Sequence, residues 1–121
     1  MNDVSNRSMT LNSPALIRAG LDRYAFIAAL AALPFVKAVW LYGSRARGDH
    51  YPRSDIDLAL EAPGATAAEW EQALGVVDVA DTLLRVDCVR LDALPLNDPL
   101  RLNIQADGVW LARPATEHEH A

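Results

Sequence analysis

The sequence is poor in cysteine and has no long apolar run. Cys88 is the single cysteine among 121 residues, so an intramolecular disulfide is impossible and a reducing compartment is expected. Residues 1–13 lack the apolar segment of a signal peptide. No stretch approaches the roughly 20 apolar residues that span a bilayer. We therefore expect a cytoplasmic protein that has no membrane partner.

Positive charge is scarce as well. Lys37 is the single lysine, and 11 basic side chains stand against 16 acidic ones, giving a formal net charge of −5. Proteins that bind extended nucleic acid use broad basic surfaces and release counterions, so direct binding of extended nucleic acid is not expected. An anionic ligand would need a local device, either a metal ion or a few placed arginines, because the net field is repulsive.

What remains is a sequence with 51% hydrophobic residues, enough for one small domain with its own core. We expect a flexible N-terminus over 1–12, a folded domain over 13–113 and a mobile tail over 114–121. Turn and capping signals divide the domain into helices and short strands. The predicted helices cover 13–33, as one helix or as two separated near Gly20, 66–79 and 98–106, and a short helix could start after Gly43. The predicted strands cover 35–42, 54–61, 83–91 and 109–112. This order indicates a layered α/β or α+β domain.

The most informative segment is 41–60, LYGSRARGDHYPRSDIDLAL. Its second half predicts a strand, in which residues i and i+2 project to one face. Asp55 and Asp57 therefore project side by side. Two such carboxylates repel each other unless a hard cation lies between them, and Mg²⁺ is the natural candidate. About one D-x-D triplet is expected by chance in such a chain, so the preceding residues decide the interpretation.

Gly43 and Ser44 end the preceding strand and suit a phosphate cradle. Glycine permits close backbone approach, and the following amides with the Ser44 hydroxyl can bind an anion. Arg45, Arg47 and Arg53 follow at once, and the planar arginine fork suits polyphosphate. The alternatives are an ordinary turn with a serine cap and a solvated loop. Because a Gly-Ser pair ten residues before a D-x-D rarely arises by chance, the conjunction favours a nucleotide site.

Gly43-Ser44, ten intervening residues and Asp55-Ile56-Asp57 resemble the G-S-x(10)-D-x-D signature of the minimal nucleotidyltransferases, a branch of the DNA polymerase β-like superfamily. The resemblance covers nearly the whole chain, including the later VDCV strand and the closing DPLRLNIQADGVWL. It implies the polymerase β-like nucleotidyltransferase fold, with a mixed β-sheet flanked by helices in one small domain. It also implies an enzyme that transfers a nucleotide.

The resemblance implies a two-metal site. Asp55 and Asp57 would bind two Mg²⁺ ions, and a third carboxylate on a neighbouring strand would complete the set. Asp87 fits that position, with Asp92 as the fallback. Gly43, Ser44 and Arg47, together with Arg45, would bind the nucleotide, which is ATP in the best-understood members.

Three histidines are weaker candidates. His118 and His120 have a metal-like H-x-H spacing, but they lie on the terminal tail, where a solvated end is favoured. His50 lies in the loop between the two motifs, where a solvated histidine is again the simpler interpretation. We therefore assign none of them to the site.

The resemblance further implies a partner. Minimal nucleotidyltransferases are typically antitoxins that transfer AMP to a tyrosine of a HEPN-domain RNase toxin. A chain of 121 residues has no room for an additional acceptor-holding domain, which favours an acceptor delivered on another protein. Two alternatives stay open: a non-catalytic antitoxin that neutralises the toxin by binding alone, and a small-molecule nucleotidyltransferase that works with a separate helical substrate-binding subunit.

Overall fold

The computed structural model describes residues 8–115. Helices and strands alternate along most of this range, and a short 3-10 helix covers Leu91–Ala93. The five strands of the described range are β1 (Met9–Leu11), β2 (Ala38–Tyr42), β3 (Ile56–Glu61), β4 (Val86–Arg90) and β5 (Val109–Pro114). Its five α-helices are α1 (Ser13–Arg18), α2 (Phe26–Ala31), α3 (Gly43–Arg47), α4 (Ala67–Asp78) and α5 (Pro99–Asp107).

The strands of the described range form one mixed sheet in the order β1-β5-β2-β3-β4. β3 and β4 run parallel and are connected through α4. The β1–β5, β5–β2 and β2–β3 pairs are antiparallel. This sheet with its helices confirms the predicted α/β (α+β) architecture. β2 and β3 are neighbours in the sheet, so Gly43 and Ser44, which follow β2, lie at the same end of the sheet as Asp55 and Asp57 at the start of β3.

Strand alternation gives the sheet two different faces. Leu41, Leu58 and Leu60 point to the core face, where they are fully buried with Ile27 and Leu30 of the helical layer. The opposite face, which we call the site face, carries the intervening residues of the same strands. Since burial of such apolar side chains contributes about 1.5–3 kcal/mol each, the core face fixes the register, and the register fixes the polar residues of the site face.

Local signals placed several elements correctly. Thr66 and Glu69 form the expected capping box at the start of α4, with both reciprocal hydrogen bonds present. Asp98 caps α5 by accepting a hydrogen bond from the Leu100 amide at 2.8 Å, ahead of Pro99 in the first turn.

Residues on both sides of the predicted folded domain 13–113 take part in the sheet. Residues 9–11, expected in the flexible N-terminus, form β1 and pair with β5, which continues to Pro114 rather than ending at Ala112. The Ala115 amide also donates to the Ser8 carbonyl at 3.0 Å. The two segments order each other through backbone hydrogen bonds, a long-range pairing without a local sequence signal. His118 and His120 lie outside the described residues.

No helix within residues 8–115 is both long enough and apolar enough to cross a membrane.

Candidate active site

Three polar side chains lie side by side on the site face. Tyr42 of β2 pairs with Asp57 of β3, and Asp57 pairs with Asp87 of β4. Directly paired residues project to the same face of a sheet, so these three residues form one row across three strands, which we call the site row. The structure therefore brings together Asp57 and Asp87, which are 30 positions apart in the sequence.

Burial and neighbouring carboxylates disfavour the ionised form of Asp57 in the site row. The pKa of Asp57 is raised above its ordinary value, chiefly by burial and then by the charges of Asp87 and Asp55 and a hydrogen bond with Asp87. The Arg85 guanidinium opposes this shift and lies 3.2 Å from Asp87 Oδ1. Because both Arg85 and Asp87 are substantially exposed, this ion pair is weak. The row therefore favours a cation or a proton beside Asp57.

Gly43 allows the Gly-Ser motif to approach the acidic motif closely. Its φ of +74° lies in the left-handed region, and a Cβ at this position would overlap the Asp57 carboxylate, with Asp57 Cγ 3.2 Å away. An L-residue would meet both a backbone penalty and a steric clash. The glycine is therefore required by tertiary structure as well as by the turn.

Ser44 is the second residue of α3, whose N-cap is Tyr42 of the site row. The N-cap makes no side-chain hydrogen bond with the helix, and the first amides of any helix lack intrahelical partners. The Ser44 side chain is half-buried at this end, while its carbonyl accepts from the Gly48 amide at 2.9 Å. Gly43 thus begins this helix beside Asp57, with Ser44 as the next residue.

Asp55 lies in the loop immediately before β3, because β3 begins at Ile56, two residues later than the predicted strand 54–61. It is exposed, yet its charge contributes to the raised pKa of Asp57. Carboxylate oxygens are the donors that Mg²⁺ prefers, so the chemistry of Asp55, Asp57 and Asp87 fits a divalent cation. Within residues 8–115, no three His, Cys, Asp or Glu side chains converge closely enough to hold one, and the metal-ligand set stays a prediction.

Arg45 differs from the sequence prediction. Its side chain is 5% exposed, and its guanidinium donates to the carbonyls of Ala19 at 2.7 Å, Pro52 at 3.0 Å and Ser54 at 2.9 and 3.2 Å. These bonds fasten α3 to the end of α1 and to the loop before β3. Arg45 is therefore a structural residue in this conformation, with its donors committed away from any phosphate.

Arg47 and Arg45 diverge because α3 is helical. Residues two apart on a helix face different sides, so the burial of Arg45 leaves Arg47 exposed, where it pairs with Asp49 at 3.2 Å. An exposed pair of this kind exchanges readily for another anion. Arg47 therefore remains available as a nucleotide-binding residue, whereas the loop interpretation had grouped the two arginines together.

Asp92, the alternative third carboxylate, makes hydrogen bonds that stabilise the fold. Asp92 accepts from the Ala62 amide at 2.7 Å and from Arg90 Nε at 3.0 Å, so it ties the 3-10 helix to the end of β3.

His50 is half-buried in the loop between the motifs rather than fully solvated, and its Nδ1 is buried without a hydrogen-bond partner among the described residues.

Sequence reasoning missed Tyr42 as a member of the site. Burial, followed by the charges of Asp57 and Asp87, raises the pKa of Tyr42 to about 12, so the hydroxyl stays protonated at neutral pH. The available signal was alternation, since Leu41 faces the core and its neighbour must face the other side. The pairing with Asp57 could be known only from the β2–β3 register.

The comparisons with known proteins agree with this geometry. The family described as Polymerase beta, Nucleotidyltransferase matches residues 26–116, which contain the whole site row. No curated protein matches the chain.

Crystal structures of toxin-antitoxin assemblies share its fold. One, with AMP-PNP, is 24% identical with a TM-score of 0.50, covering 90% of this chain and 77% of that chain. A doubly aspartate-to-glutamate-substituted MntA-HpeT is 23% identical with a TM-score of 0.51, covering 77% of this chain and 73% of that chain. A tyrosine-to-alanine MntA-HpeT mutant is 25% identical with a TM-score of 0.50, covering 91% of this chain and 77% of that chain.

Proposed function

The chain belongs to the polymerase beta nucleotidyltransferase family, and from that premise we propose that it transfers AMP from ATP to a tyrosine hydroxyl of a HEPN-domain RNase toxin and thereby acts as its antitoxin. Nucleotidyl transfer follows from the family. The partner and the acceptor are the proposal, supported by the likeness to the MntA-HpeT toxin-antitoxin structure that is 25% identical.

One observation carries the proposal: Gly43 is packed so closely against Asp57 that a single methyl group would overlap the carboxylate. Phosphates bound by Gly43 and Ser44 would therefore lie directly against the site row. A nucleotidyltransferase needs this juxtaposition, because the phosphates must be neutralised where the carboxylates can organise the reacting groups.

Asp55, Asp57 and Asp87 would hold the Mg²⁺ ions that this family uses. When bound, two such ions would polarise the α-phosphate and lower the pKa of the acceptor hydroxyl. The raised pKa of Asp57, with carboxylates as two of its causes, supports a bound cation, because a cation would relieve the repulsion.

The remaining chemistry is positioning. Gly43 and Ser44 would donate hydrogen bonds to the β- and γ-phosphates, and Arg47 would exchange Asp49 for phosphate oxygen. With the triphosphate held at the end of β2, the tyrosine oxygen would attack the α-phosphorus in line from the opposite side. The new O–P bond forms as the bond to the β-phosphate oxygen breaks, pyrophosphate leaves, and the hydroxyl proton passes to water.

The test is the intact mass of the toxin after co-expression. The wild-type chain should add one or more AMP units to the toxin, and Asp57→Asn should add none. Asp78→Asn is the matched control, because Asp78 is an exposed carboxylate on α4. A toxin modified equally by Asp57→Asn would contradict the assignment of the site.

The same variants separate the alternatives. A cell protected by the doubly substituted Asp55→Asn, Asp57→Asn chain would indicate an antitoxin that acts by binding alone. An unmodified toxin, together with pyrophosphate release that depends on a small acceptor, would indicate a small-molecule nucleotidyltransferase.

A further inference from the structure

A large cleft at the site end of the sheet is lined by three arginines. Its volume is about 780 Å³, and Arg23, Arg53 and Arg85 contribute to its wall. Asp81 is the one acidic residue of the lining, and its Oδ2 accepts from the Ala25 amide at 3.2 Å. This concentration of positive charge contrasts with the net charge of −5 for the whole chain.

Arg85 links the cleft to the site row. Arg85 Nη2 lies 3.2 Å from Asp87 Oδ1, so one arginine of the cleft wall already contacts a carboxylate of the row. Arg53 is exposed and makes no ion pair with another described residue. An adjoining cavity shares Arg23 with the cleft and is also lined by His50, whose buried Nδ1 lacks a partner within the described part of the chain.

The position of the cleft matches the direction from which an acceptor must arrive. The phosphates are assigned to Gly43 and Ser44 at the end of β2, and β3 separates β2 from β4. In-line displacement requires the nucleophile to approach opposite the leaving pyrophosphate. With the phosphates at the end of β2, an acceptor that approaches from the side of β4 would meet this requirement. β4 is an edge strand of the described sheet, and Arg85 immediately precedes it.

The charge pattern selects the chemistry of the acceptor. Arginine forks bind carboxylates as well as phosphates, but a confined cleft on an acidic chain does not offer the broad basic surface that extended nucleic acid requires. We propose, resting on the function proposed above, that this cleft docks an acidic segment of the protein acceptor and so presents its neighbouring tyrosine to Asp87.

Direct peptide binding tests this proposal without relying on catalysis. The probes are two fluorescently labelled pentapeptides with a central tyrosine, flanked on each side by two glutamates or by two lysines. Their binding to the full chain is measured by anisotropy without nucleotide. We expect tighter binding of the glutamate peptide, weakened by added salt because the contacts are ionic.

A charge-matched pair of variants then locates the binding. Arg23→Glu with Arg53→Glu should weaken binding of the glutamate peptide about tenfold or more, because attraction becomes repulsion at two positions. Lys37→Glu with Arg113→Glu makes the same change in net charge at the opposite end of the sheet, where both residues are exposed. That control should bind like the wild type.

Several outcomes would overturn the proposal. Equal binding of both peptides would show that the cleft does not select acidic segments, and equal losses in the two variants would leave only a general field effect. Displacement of the glutamate peptide by micromolar pyrophosphate, or tighter binding of a ten-nucleotide RNA that also depends on Arg23 and Arg53, would assign the cleft to phosphate. If no AMP transfer occurs but the peptide result holds, the docking site stands and the proposed reaction fails.

Discussion

Replacing Gly43 by alanine should destabilise the protein in two separable ways. The residue has a φ of +74°, and holding an L-residue in the left-handed region costs about 1–2 kcal/mol. The new methyl group would also overlap Asp57 Oδ2, so the half-buried carboxylate would have to shift from its rotamer, which costs about 0.5–1.5 kcal/mol more. The total loss of unfolding free energy is therefore about 1.5–3.5 kcal/mol.

Gly64 supplies the matched control. It has a φ of +84°, and a Cβ there would meet nothing within 4 Å, so Gly64→Ala should cost the backbone penalty of about 1–2 kcal/mol alone. Any effect of alanine on the entropy of the unfolded chain is shared by both variants. The difference between them therefore isolates the contact with Asp57.

Urea unfolding measures both variants by linear extrapolation. Repeating Gly43→Ala in an Asp57→Ala background should reduce its cost to that of Gly64→Ala, because the overlapping carboxylate is gone. Equal costs for Gly43→Ala and Gly64→Ala in the wild-type background would refute the close approach between the two motifs. The nucleotide-binding role assigned to Gly43 would then lose its structural support.

Three further predictions concern individual side chains. The raised pKa of Asp57 means that the folded state binds this proton more tightly than the unfolded state. Stability should therefore fall as pH rises from about 4, near the unfolded pKa, through the raised folded pKa. Asp57→Asn should flatten this decline in urea titrations at successive pH values. Arg45→Met should lower the free energy of unfolding by about 2–4 kcal/mol, because it leaves buried carbonyls unsatisfied; a stable Arg45→Met would contradict the structural role. Arg47→Ala should lower the free energy of unfolding by under about 0.5 kcal/mol but weaken ATP binding in calorimetry. Tyr42→Phe should leave the pH–rate profile between pH 6 and 9 unchanged, because the tyrosine hydroxyl with a pKa of about 12 does not ionise there; a lost limb of that profile would contradict this.

Much of the site could be predicted because its signals are local. The capping residues Thr66 and Glu69 act within one turn, and Gly43-Ser44 with Asp55 and Asp57 lie within a 15-residue segment. Short-range hydrogen-bonding rules and residue chemistry are sufficient for such features. The family match over residues 26–116 agrees with the resemblance that these motifs carry.

Arg45 shows where local reasoning ends. The glycine- and arginine-rich segment around it favours a solvated, phosphate-binding arginine. In the structure, its hydrogen-bond partners are the carbonyls of Ala19, Pro52 and Ser54. Which arginine is buried depends on the short helix α3 and on the packing of α1 against it. The sequence allows a short helix after Gly43, but it does not indicate which arginine of that helix packs against α1.

The sequence alone was enough to predict the class of fold and a candidate nucleotide-binding motif, because alternation, caps and a compact motif depend on residues close in the chain. The tertiary structure decided which residues meet: β1 with β5, Asp57 with Tyr42 and Asp87, and three arginines around one cleft. These contacts follow from strand order and register. Burial of the whole core selects the order and the register, and no single segment encodes them.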